Sequence, residues 1–279
     1  LMMYPLFTGP LTIERVVVPI SHLPRHLQGC RVVQLSDFHF DGQRISLDLL
    51  RDVIEQVNRL EPDLVALTGD YVTKDASPIF RLSTYLQRIK SRYGSVAVLG
   101  NHDNITVGGR HTILRELKRI GILPLWNAIA TPLGPEFPIV GLADKFSQEF
   151  MPNKVLGQVP CSIPRLVLCH NPDSAALLSH WRVDLQLSGH THGGQIVVPG
   201  LGPLARWNPG RKIKRAVRPS LPWPYLNSKC IHVVEHWEWA SGLHRVKQNW
   251  LYVNRGLGTY APGRLRCSPE ISEITLISQ

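Results

Sequence analysis

The chain has 279 residues, of which 43% are hydrophobic, and a formal net charge of +10. This length and composition suffice for one large core or two smaller ones, and we expect one domain over 31–279, preceded by an N-terminal extension over 1–30. No apolar stretch reaches the roughly 18 residues that a membrane-spanning helix needs. The five cysteines are odd in number and irregularly spaced, which favours reduced thiols over a disulfide framework.

The predicted elements alternate between strands and helices along the chain. Five short apolar runs are typical of buried strands: 31–35, 63–67, 95–99, 165–168 and 183–187. Three segments have helical periodicity: 47–60 with Ser46 as the N-cap, about 77–90, and about 109–120 before Gly121. Strands that alternate with helices predict an α/β fold.

A polar cluster follows each of the five predicted strands. In chain order the clusters are Ser36-Asp37-Phe38-His39, Thr68-Gly69-Asp70, Gly100-Asn101-His102-Asp103, Cys169-His170-Asn171-Pro172 and Gly189-His190-Thr191-His192-Gly193-Gly194-Gln195. Ligands of α/β sheets bind beyond the carboxyl ends of the strands. We therefore expect these clusters to meet at a single site.

The clusters offer oxygen and nitrogen ligands without a thiolate: Asp37, His39, Asp70, Asn101, His170, His190 and His192. Such a set is too large for one tetrahedral zinc ion and suits two divalent ions that share a carboxylate. Two ions about 3.5–4 Å apart stabilise in-line displacement at phosphorus. The pattern therefore predicts phosphoester hydrolysis.

The chain resembles a known protein family in the order of its motifs. Asp-x-His, Gly-Asp, Gly-Asn-His-Asp, His and Gly-His-x-His follow one another between Asp37 and His192, and in this the chain resembles the calcineurin-like metallophosphoesterases. The tail segments 251–259, 264–265 and 269–271 make it similar to the bacterial branch with YaeI-like and YkuE-like phosphodiesterases, and to the calcineurin-like UDP-2,3-diacylglucosamine pyrophosphatase. The resemblance covers about 31–278. It implies a four-layer αββα sandwich of two mixed sheets flanked by helices.

The resemblance also implies a role for each cluster residue. It gives two ligand sets joined by Asp70: a first set of Asp37, His39 and His192, and a second set of Asn101, His170 and His190. His102 is the expected acid that protonates the leaving oxygen, and Asp103 is expected to orient its imidazole. Manganese is the expected metal, although zinc and iron also suit these ligands.

One position departs from the family pattern. Many members have glycine two residues after the first histidine, whereas this chain has Asp41 there. An additional carboxylate beside the metals would repel a phosphate. We therefore expect Asp41 to point away from them or to cap the following segment.

The basic charge is concentrated after the last histidines. No acidic residue occurs from Leu185 through Val234, and an insertion rich in Trp, Pro and basic residues occupies about 205–238. Candidate substrate-binding residues are Arg206, Trp207, Arg211 and Lys212 in the insertion and Arg255 in the tail, for which a packing role is equally open. The insertion has three interpretations: it binds anionic phospholipids, it follows a nucleic-acid backbone, or its tryptophans pack on the body of the protein.

The similarity to a pyrophosphatase with a diacylated substrate favours the lipid interpretation. We expect hydrolysis of a phosphodiester or pyrophosphate bond in an amphiphilic substrate such as UDP-2,3-diacylglucosamine of the lipid A pathway. The expected location is the cytoplasm, peripheral to an anionic inner membrane; because the chain begins with Leu1, removal of an upstream anchor or signal stays open. Alternatives are a generic or nucleic-acid phosphodiesterase and a non-catalytic, metal-bound interaction module.

Overall fold

Two six-stranded mixed sheets are stacked in the computed structural model, which describes residues 7–104, 108–207 and 234–279. In spatial order the first sheet contains β1 (Thr12–Ile20), β14 (Glu270–Ser278), β2 (Arg31–Leu35), β3 (Leu64–Leu67), β4 (Ser95–Ala97) and β5 (Ile122–Pro124). The second contains β12 (Gly242–Val246), β13 (Asn249–Val253), β9 (Leu185–Ser188), β8 (Leu166–Leu168), β7 (Ile139–Gly141) and β6 (Ala128–Ala130). A small hairpin pairs β10 (Val197–Val198) with β11 (Gly202–Pro203).

The central strands of both sheets are parallel. β2, β3, β4 and β5 run parallel in the first sheet, and β7, β8, β9 and β13 run parallel in the second. Antiparallel pairs join β14 to β2, β6 to β7 and β12 to β13. The five predicted strands are confirmed as β2, β3, β4, β8 and β9, and their carboxyl ends carry the polar clusters.

Helices cover the outer faces of the two sheets. They are α1 (Leu47–Arg59), α2 (Ile79–Leu86), α3 (Gly109–Arg119), α4 (Pro152–Leu156) and α5 (Ser174–Leu178). The Ser46 hydroxyl accepts a hydrogen bond from the Leu49 N–H and caps α1 as predicted. Gly121 has φ +81° immediately after α3, the conformation that ends many helices. Among the described helices, none has the length and apolar character needed to cross a membrane.

Three apolar layers explain why the elements stack in this order. Val32 and Leu64 from the first sheet meet Leu166 and Leu185 from the second, and all four side chains are fully buried between the sheets. The other face of the first sheet packs against α1, α2 and α3, and the other face of the second sheet packs against α4 and α5. The predicted αββα sandwich is confirmed.

The segment predicted as an N-terminal extension contributes an edge strand. β1 pairs in parallel with β14 from Thr12 opposite Glu270 to Ile20 opposite Ser278. Residues 1–6 lie outside the described residues. The described cysteines are unpaired, in agreement with the prediction of reduced thiols: Cys30, Cys161, Cys169 and Cys267.

Candidate metal centre

The predicted ligands lie beyond the carboxyl ends of five parallel strands, three in one sheet and two in the other. They follow the strands in this order: Asp37 and His39 after β2, Asp70 after β3, Asn101 after β4, His170 after β8, and His190 and His192 after β9. Each ligand set contains residues from both sheets. The site therefore spans the line where the sheets meet.

The first set converges on one point. The Nε2 atoms of His39 and His192 are 3.0 Å apart. Asp37 Oδ1 lies 3.4 Å from Nε2 of His192 and 3.8 Å from Nε2 of His39. Both oxygens of Asp37 also accept from the His190 N–H, at 3.1 and 3.0 Å, which fixes the carboxylate against the second sheet.

The two histidines of the second set also approach each other closely. His170 Nε2 and His190 Nδ1 are 3.2 Å apart. Asn101 Oδ1 is buried and has no hydrogen-bond partner among the residues that the structure describes. A buried acceptor without a donor is costly in a folded protein. A cation is the kind of partner that such an oxygen suits.

Asp70 lies between the two sets. Its Oδ2 atom is 3.4 Å from Nε2 of His39 and 3.2 Å from Nε2 of His170. Burial opposes ionisation of Asp70, but the charge of His170 and its hydrogen bond outweigh burial and lower the pKa of Asp70 well below its usual value. The carboxylate is therefore ionised and shared, as a bridging ligand has to be.

In two of the histidines, the hydrogen bond of Nδ1 shows that Nε2 is the nitrogen that faces the metal centre. We call Nδ1 the outer nitrogen of these rings. His170 Nδ1 lies 2.7 Å from the Thr68 carbonyl oxygen, and His192 Nδ1 lies 3.1 Å from that of Gly258. A carbonyl oxygen only accepts, so each Nδ1 carries the hydrogen and each Nε2 points a lone pair inward when the ring is neutral. Inward lone pairs this close repel one another unless positive charge lies between them.

The carboxylates of the cluster attract positive charge to it. Burial opposes the charge on His170, yet Asp70 outweighs burial and raises the pKa of His170 well above its usual value. Burial lowers the pKa of His192 to about 3, which keeps this imidazole neutral and available as a ligand. The donors therefore fit two divalent cations, one at each set.

The backbone is strained at the ligands. Five of the ligand residues have φ between 43° and 73°, the left-handed region that side chains disfavour: Asp37, His39, Asp70, His190 and His192. Such residues cost about 1–3 kcal/mol each and cluster at functional sites. Gly189 permits the close approach of β9, since a Cβ there would overlap the side chains of Ser36 and Asp37.

Comparison with known proteins agrees with this geometry. The family model described as calcineurin-like phosphoesterase matches residues 30–194. The chain belongs to the calcineurin-like phosphoesterase family. It is a metal-dependent hydrolase of phosphoesters, as the sequence predicted.

Three relatives of this calcineurin-like phosphoesterase cover most of its length. Phosphodiesterase YaeI of Escherichia coli K12 is 32% identical over 252 residues, which are 88% of this chain and 82% of the relative. UDP-2,3-diacylglucosamine pyrophosphatase LpxG of Chlamydia trachomatis is 29% identical over 88% of this chain and 83% of the relative. The uncharacterized metallophosphoesterase YkuE of Bacillus subtilis is 28% identical over 99% of this chain and 89% of the relative.

His102 stands beside the first set of the phosphoesterase centre. Its ring meets that of His39 edge to face, with centroids 4.8 Å apart, and its backbone N–H donates to Asp70 at 2.9 Å. Nδ1 of His102 lies 2.7 Å from the Thr73 carbonyl oxygen. Burial lowers the pKa of His102. The ring is thus held by the backbone on one side and lies against the ligands on the other.

Asp103 does not orient His102, contrary to the prediction. Its carboxylate accepts backbone N–H bonds of 2.7–3.3 Å from four residues: Asp70, Tyr71, Val72 and Gly100. These bonds tie the loop after β3 to the loop after β4. The carbonyl of Thr73 takes the orienting role, because it is the acceptor placed at Nδ1 of His102.

The structure describes three of the five candidate substrate-binding residues: Arg206, Trp207 and Arg255. Arg255 was a candidate either for approaching the substrate or for a packing role, and its guanidinium group contacts Glu14, Glu270 and Thr12. The two carboxylates neutralise its charge. Arg206 is exposed in the short turn Leu204–Trp207, which ends at the other candidate, Trp207. Arg211 and Lys212 lie outside the described residues.

The structure adds a carboxylate that the sequence interpretation missed. Asp144 follows β7, is fully buried, and has one oxygen, Oδ2, without a partner within the described ranges. Burial raises the pKa of Asp144, and the charges of His170 and His190 oppose that shift. The apolar run 138–142 before it has the same form as the five recognised runs, so the pattern of a strand followed by an acid was present.

Proposed function

We propose that this phosphoesterase hydrolyses a phosphodiester or pyrophosphate bond in an amphiphilic, lipid-linked substrate such as UDP-2,3-diacylglucosamine. The observation that carries the chemistry is the position of Asp70 Oδ2, within 3.4 Å of a histidine from each ligand set. A shared carboxylate between two nitrogen-rich sets is the arrangement used for displacement at phosphorus. We further propose manganese at both sets.

The ligand residues prepare the site for an anionic substrate. Two divalent cations held by these residues would supply positive charge for the phosphoryl oxygens and would lower the pKa of a coordinated water. The His190 N–H holds Asp37, and Asp70 lies between the two sets, so both carboxylates are placed before a substrate binds. The reaction therefore needs little reorganisation energy from the protein, since the charged groups are already in place.

His102 is the proposed acid for the leaving oxygen. The Thr73 carbonyl accepts the Nδ1 hydrogen, so Nε2 is the nitrogen that can give a proton to the substrate. The centroid of its ring lies 4.8 Å from that of His39, so the proposed acid stands next to the first ligand set. Because burial lowers the pKa of His102, its protonated form gives up a proton more readily than an exposed imidazolium does.

An apolar rim beside the site supports the amphiphilic substrate. Phe7 is 66% exposed and pairs with Gly263, and two residues further Leu265 is 56% exposed and pairs with Ile196. Leu201, 50% exposed, lies in the neighbouring turn between β10 and β11. Ile196 lies four residues after His192, and the Leu265 N–H donates to the Gln195 carbonyl, so this apolar rim of Phe7, Leu201 and Leu265 is linked to the segment that carries the last two histidines. It offers acyl chains a surface next to the phosphate.

Charge and similarity support the same proposal. Arg206 and Arg266 are exposed on this side of the chain, and residues 185–234 contain no acid. Each basic residue near an anionic bilayer contributes about 1 kcal/mol of attraction. The 29% identical relative is named for a diacylated diphosphate. We propose that the enzyme works peripherally at the cytoplasmic face of the inner membrane.

A phosphodiesterase assay tests the chemistry. We expect hydrolysis of bis-p-nitrophenyl phosphate by the protein loaded with Mn²⁺, and no hydrolysis by Asn101→Ala at the same metal concentration. Asn153→Ala is the matched control, because Asn153 is exposed on α4. Equal turnover by wild type and Asn101→Ala would contradict the proposed centre.

A vesicle assay tests the lipid part separately. Leu201→Ser with Leu265→Ser should lower cosedimentation with phosphatidylglycerol vesicles and turnover of UDP-2,3-diacylglucosamine in mixed micelles, and leave bis-p-nitrophenyl phosphate hydrolysis unchanged. Phe80→Ser is the control, since Phe80 is 51% exposed on α2, away from the site. If wild type hydrolyses the soluble diester but never the lipid diphosphate, the substrate proposal is wrong.

Nucleic-acid hydrolysis is the second candidate, and the acid-free basic stretch 185–234 favours it. Binding to a nucleic-acid backbone weakens steeply with salt. Hydrolysis of single-stranded DNA or RNA with such a salt dependence, together with inactivity on lipid diphosphates, would select this function.

A further inference from the structure

The histidines differ in what holds their outer nitrogens. The backbone carbonyls of Thr68 and Gly258 hold His170 and His192. Nδ1 of His39 instead lies 3.1 Å from the hydroxyl oxygen of Tyr260, a side chain. A metal ligand is oriented by the partner of its other nitrogen, and such partners typically affect metal affinity by 10–100-fold. The partner of His39 is one that a substitution can remove.

Tyr260 is fixed from several sides. Its backbone N–H donates to Gln195 Oε1 at 2.7 Å, and Gln195 follows His192 in the same motif. The guanidinium carbon of Arg44 lies 4.4 Å from the centroid of its ring. The edge of the ring also meets His192, with centroids 5.3 Å apart. The hydroxyl therefore has a defined position relative to His39.

Asp41 anchors the arginine that lies over Tyr260. Arg44 Nη1 donates to Asp41 Oδ2, and the Thr73 hydroxyl donates to the same oxygen at 3.1 Å. Asp41 Oδ1 accepts from the N–H groups of Gln43 and Arg44, at 2.9 and 3.1 Å. Asp41 thus caps the segment as the sequence predicted, and its charge is neutralised by Arg44 rather than directed at a phosphate.

These contacts form a continuous bracket of Asp41, Arg44, Thr73 and Tyr260. One end of the bracket reaches His39 through the Tyr260 hydroxyl. The other end reaches His102, because the carbonyl of Thr73 accepts from Nδ1 of that ring. A ligand of the first set and the proposed acid are therefore both connected to one carboxylate, Asp41.

We propose that Tyr260 is a positioning residue for the first metal, held in place by Arg44 and Asp41. The phenol oxygen accepts the Nδ1 hydrogen of His39, which turns the Nε2 lone pair toward Asp37 and Asp70. The second metal does not depend on this bracket, because the outer nitrogen of His170 is held by the backbone. The inference rests on the proposed two-metal centre.

Calorimetric titration of Mn²⁺ into metal-free protein tests the proposal. Wild type should bind two ions. Tyr260→Phe, which removes only the hydroxyl, should weaken one of them by about 10–100-fold and leave the other unchanged. Tyr85→Phe is the matched control, since Tyr85 packs against the helical core on α2. Its affinities should equal those of wild type, and the unfolding midpoints of both metal-free variants should agree.

Two single-site backgrounds identify the weakened ion. His170→Ala retains the first set, and there Tyr260→Phe should weaken the remaining Mn²⁺. His192→Ala retains the second set, and there Tyr260→Phe should have no effect. If wild type binds no Mn²⁺, the proposed function fails. If wild type binds two ions and Tyr260→Phe binds both as tightly, or weakens both equally, only the positioning role is wrong.

Arg44→Met provides the second variant if Tyr260→Phe alters folding. It keeps an unbranched side chain over the ring and removes the guanidinium group, so the hydroxyl of Tyr260 stays in the protein but loses one support. The affinity for the first ion should then fall by less than with Tyr260→Phe. An unchanged first affinity in Arg44→Met would exclude the bracket as the support of Tyr260.

Discussion

The two ligand sets have similar chemistry but differ in their supports. In the second set, the outer nitrogen of His170 is held by the Thr68 carbonyl, and the buried carboxylate of Asp144 lies nearby. In the first set, the backbone carbonyl of Gly258 holds His192, but His39 is held by the hydroxyl of Tyr260, which belongs to a side-chain bracket. A backbone support persists in every variant of the sequence. A side-chain support allows the affinity for one metal to change without affecting the other.

Asp70→Asn should have the largest effect, because Asp70 contacts a histidine of each ligand set. Without its charge, neither set keeps the carboxylate that joins His39 to His170. We expect loss of both metals, measured by elemental analysis, and a fall in turnover of roughly 10⁴-fold. Asp52→Asn on the exposed face of α1 is the control. Two tightly bound metals in Asp70→Asn would exclude a shared carboxylate.

Removing a histidine from one ligand set at a time should show whether the two sets bind their metals independently. His192→Ala and His170→Ala should each retain about one metal per chain and lose roughly 10³-fold in turnover, since one ion cannot provide the paired clamp. His180→Ala, at an exposed position, should retain both metals. If either ligand variant lost both ions, the sets would not be independent, and the comparison between them would fail.

Metal removal should lower stability, because each set joins the two sheets. His39 comes from the first sheet and His192 from the second, while Asn101 and His170 span them in the other set. An ion at a concentration of 100 times its Kd stabilises the folded state by about 2.7 kcal/mol per site. Calorimetric unfolding with and without a chelator measures this contribution. An unchanged unfolding temperature would mean that the metals do not join the sheets.

The sequence predicted the fold and the ligands because both depend on local patterns. Each ligand follows an apolar run, and the position of a residue after a buried strand determines where it lies in an α/β sheet. Supports between distant residues left no such pattern. Tyr260 reaches His39 across 221 positions, and its role depends on a hydroxyl placed by Gln195 and Arg44.

The observed contacts of Asp103 and Arg255 have a common physical cause. The family resemblance suggested that Asp103 orients His102, and the tail motif left Arg255 either near the substrate phosphate or in a packing role. In the structure, Asp103 accepts four backbone N–H groups, and Arg255 contacts the carboxylates of Glu14 and Glu270. Buried charged groups satisfy the nearest partners first, because an unpaired one is costly. Those partners come from loops that the sequence alone does not place.

Asp144→Asn tests whether the buried carboxylate of Asp144 supports the second ligand set. Asparagine keeps the shape of the buried side chain but removes a negative charge that acts on His170 and His190. We expect the affinity for the second Mn²⁺ to fall by about 10-fold, the lower end of the range for groups that support metal ligands, with the first affinity unchanged. Asp75→Asn, at an exposed position, is the control. Weakening of the first ion instead would assign Asp144 to the other set.

Thr73→Val should give the smallest effect. It tests the end of the bracket that lies farthest from His39 of the first ligand set. Valine removes the hydroxyl that donates to Asp41 and keeps the backbone carbonyl that holds His102. Asp41 retains Arg44 and two backbone N–H groups, so the loss amounts to one hydrogen bond of about 1 kcal/mol. We expect a slightly lower unfolding temperature, a small loss of affinity for the first Mn²⁺ and the same pH profile of turnover as wild type. A shifted profile would mean that the hydroxyl, and not the carbonyl, of Thr73 governs His102.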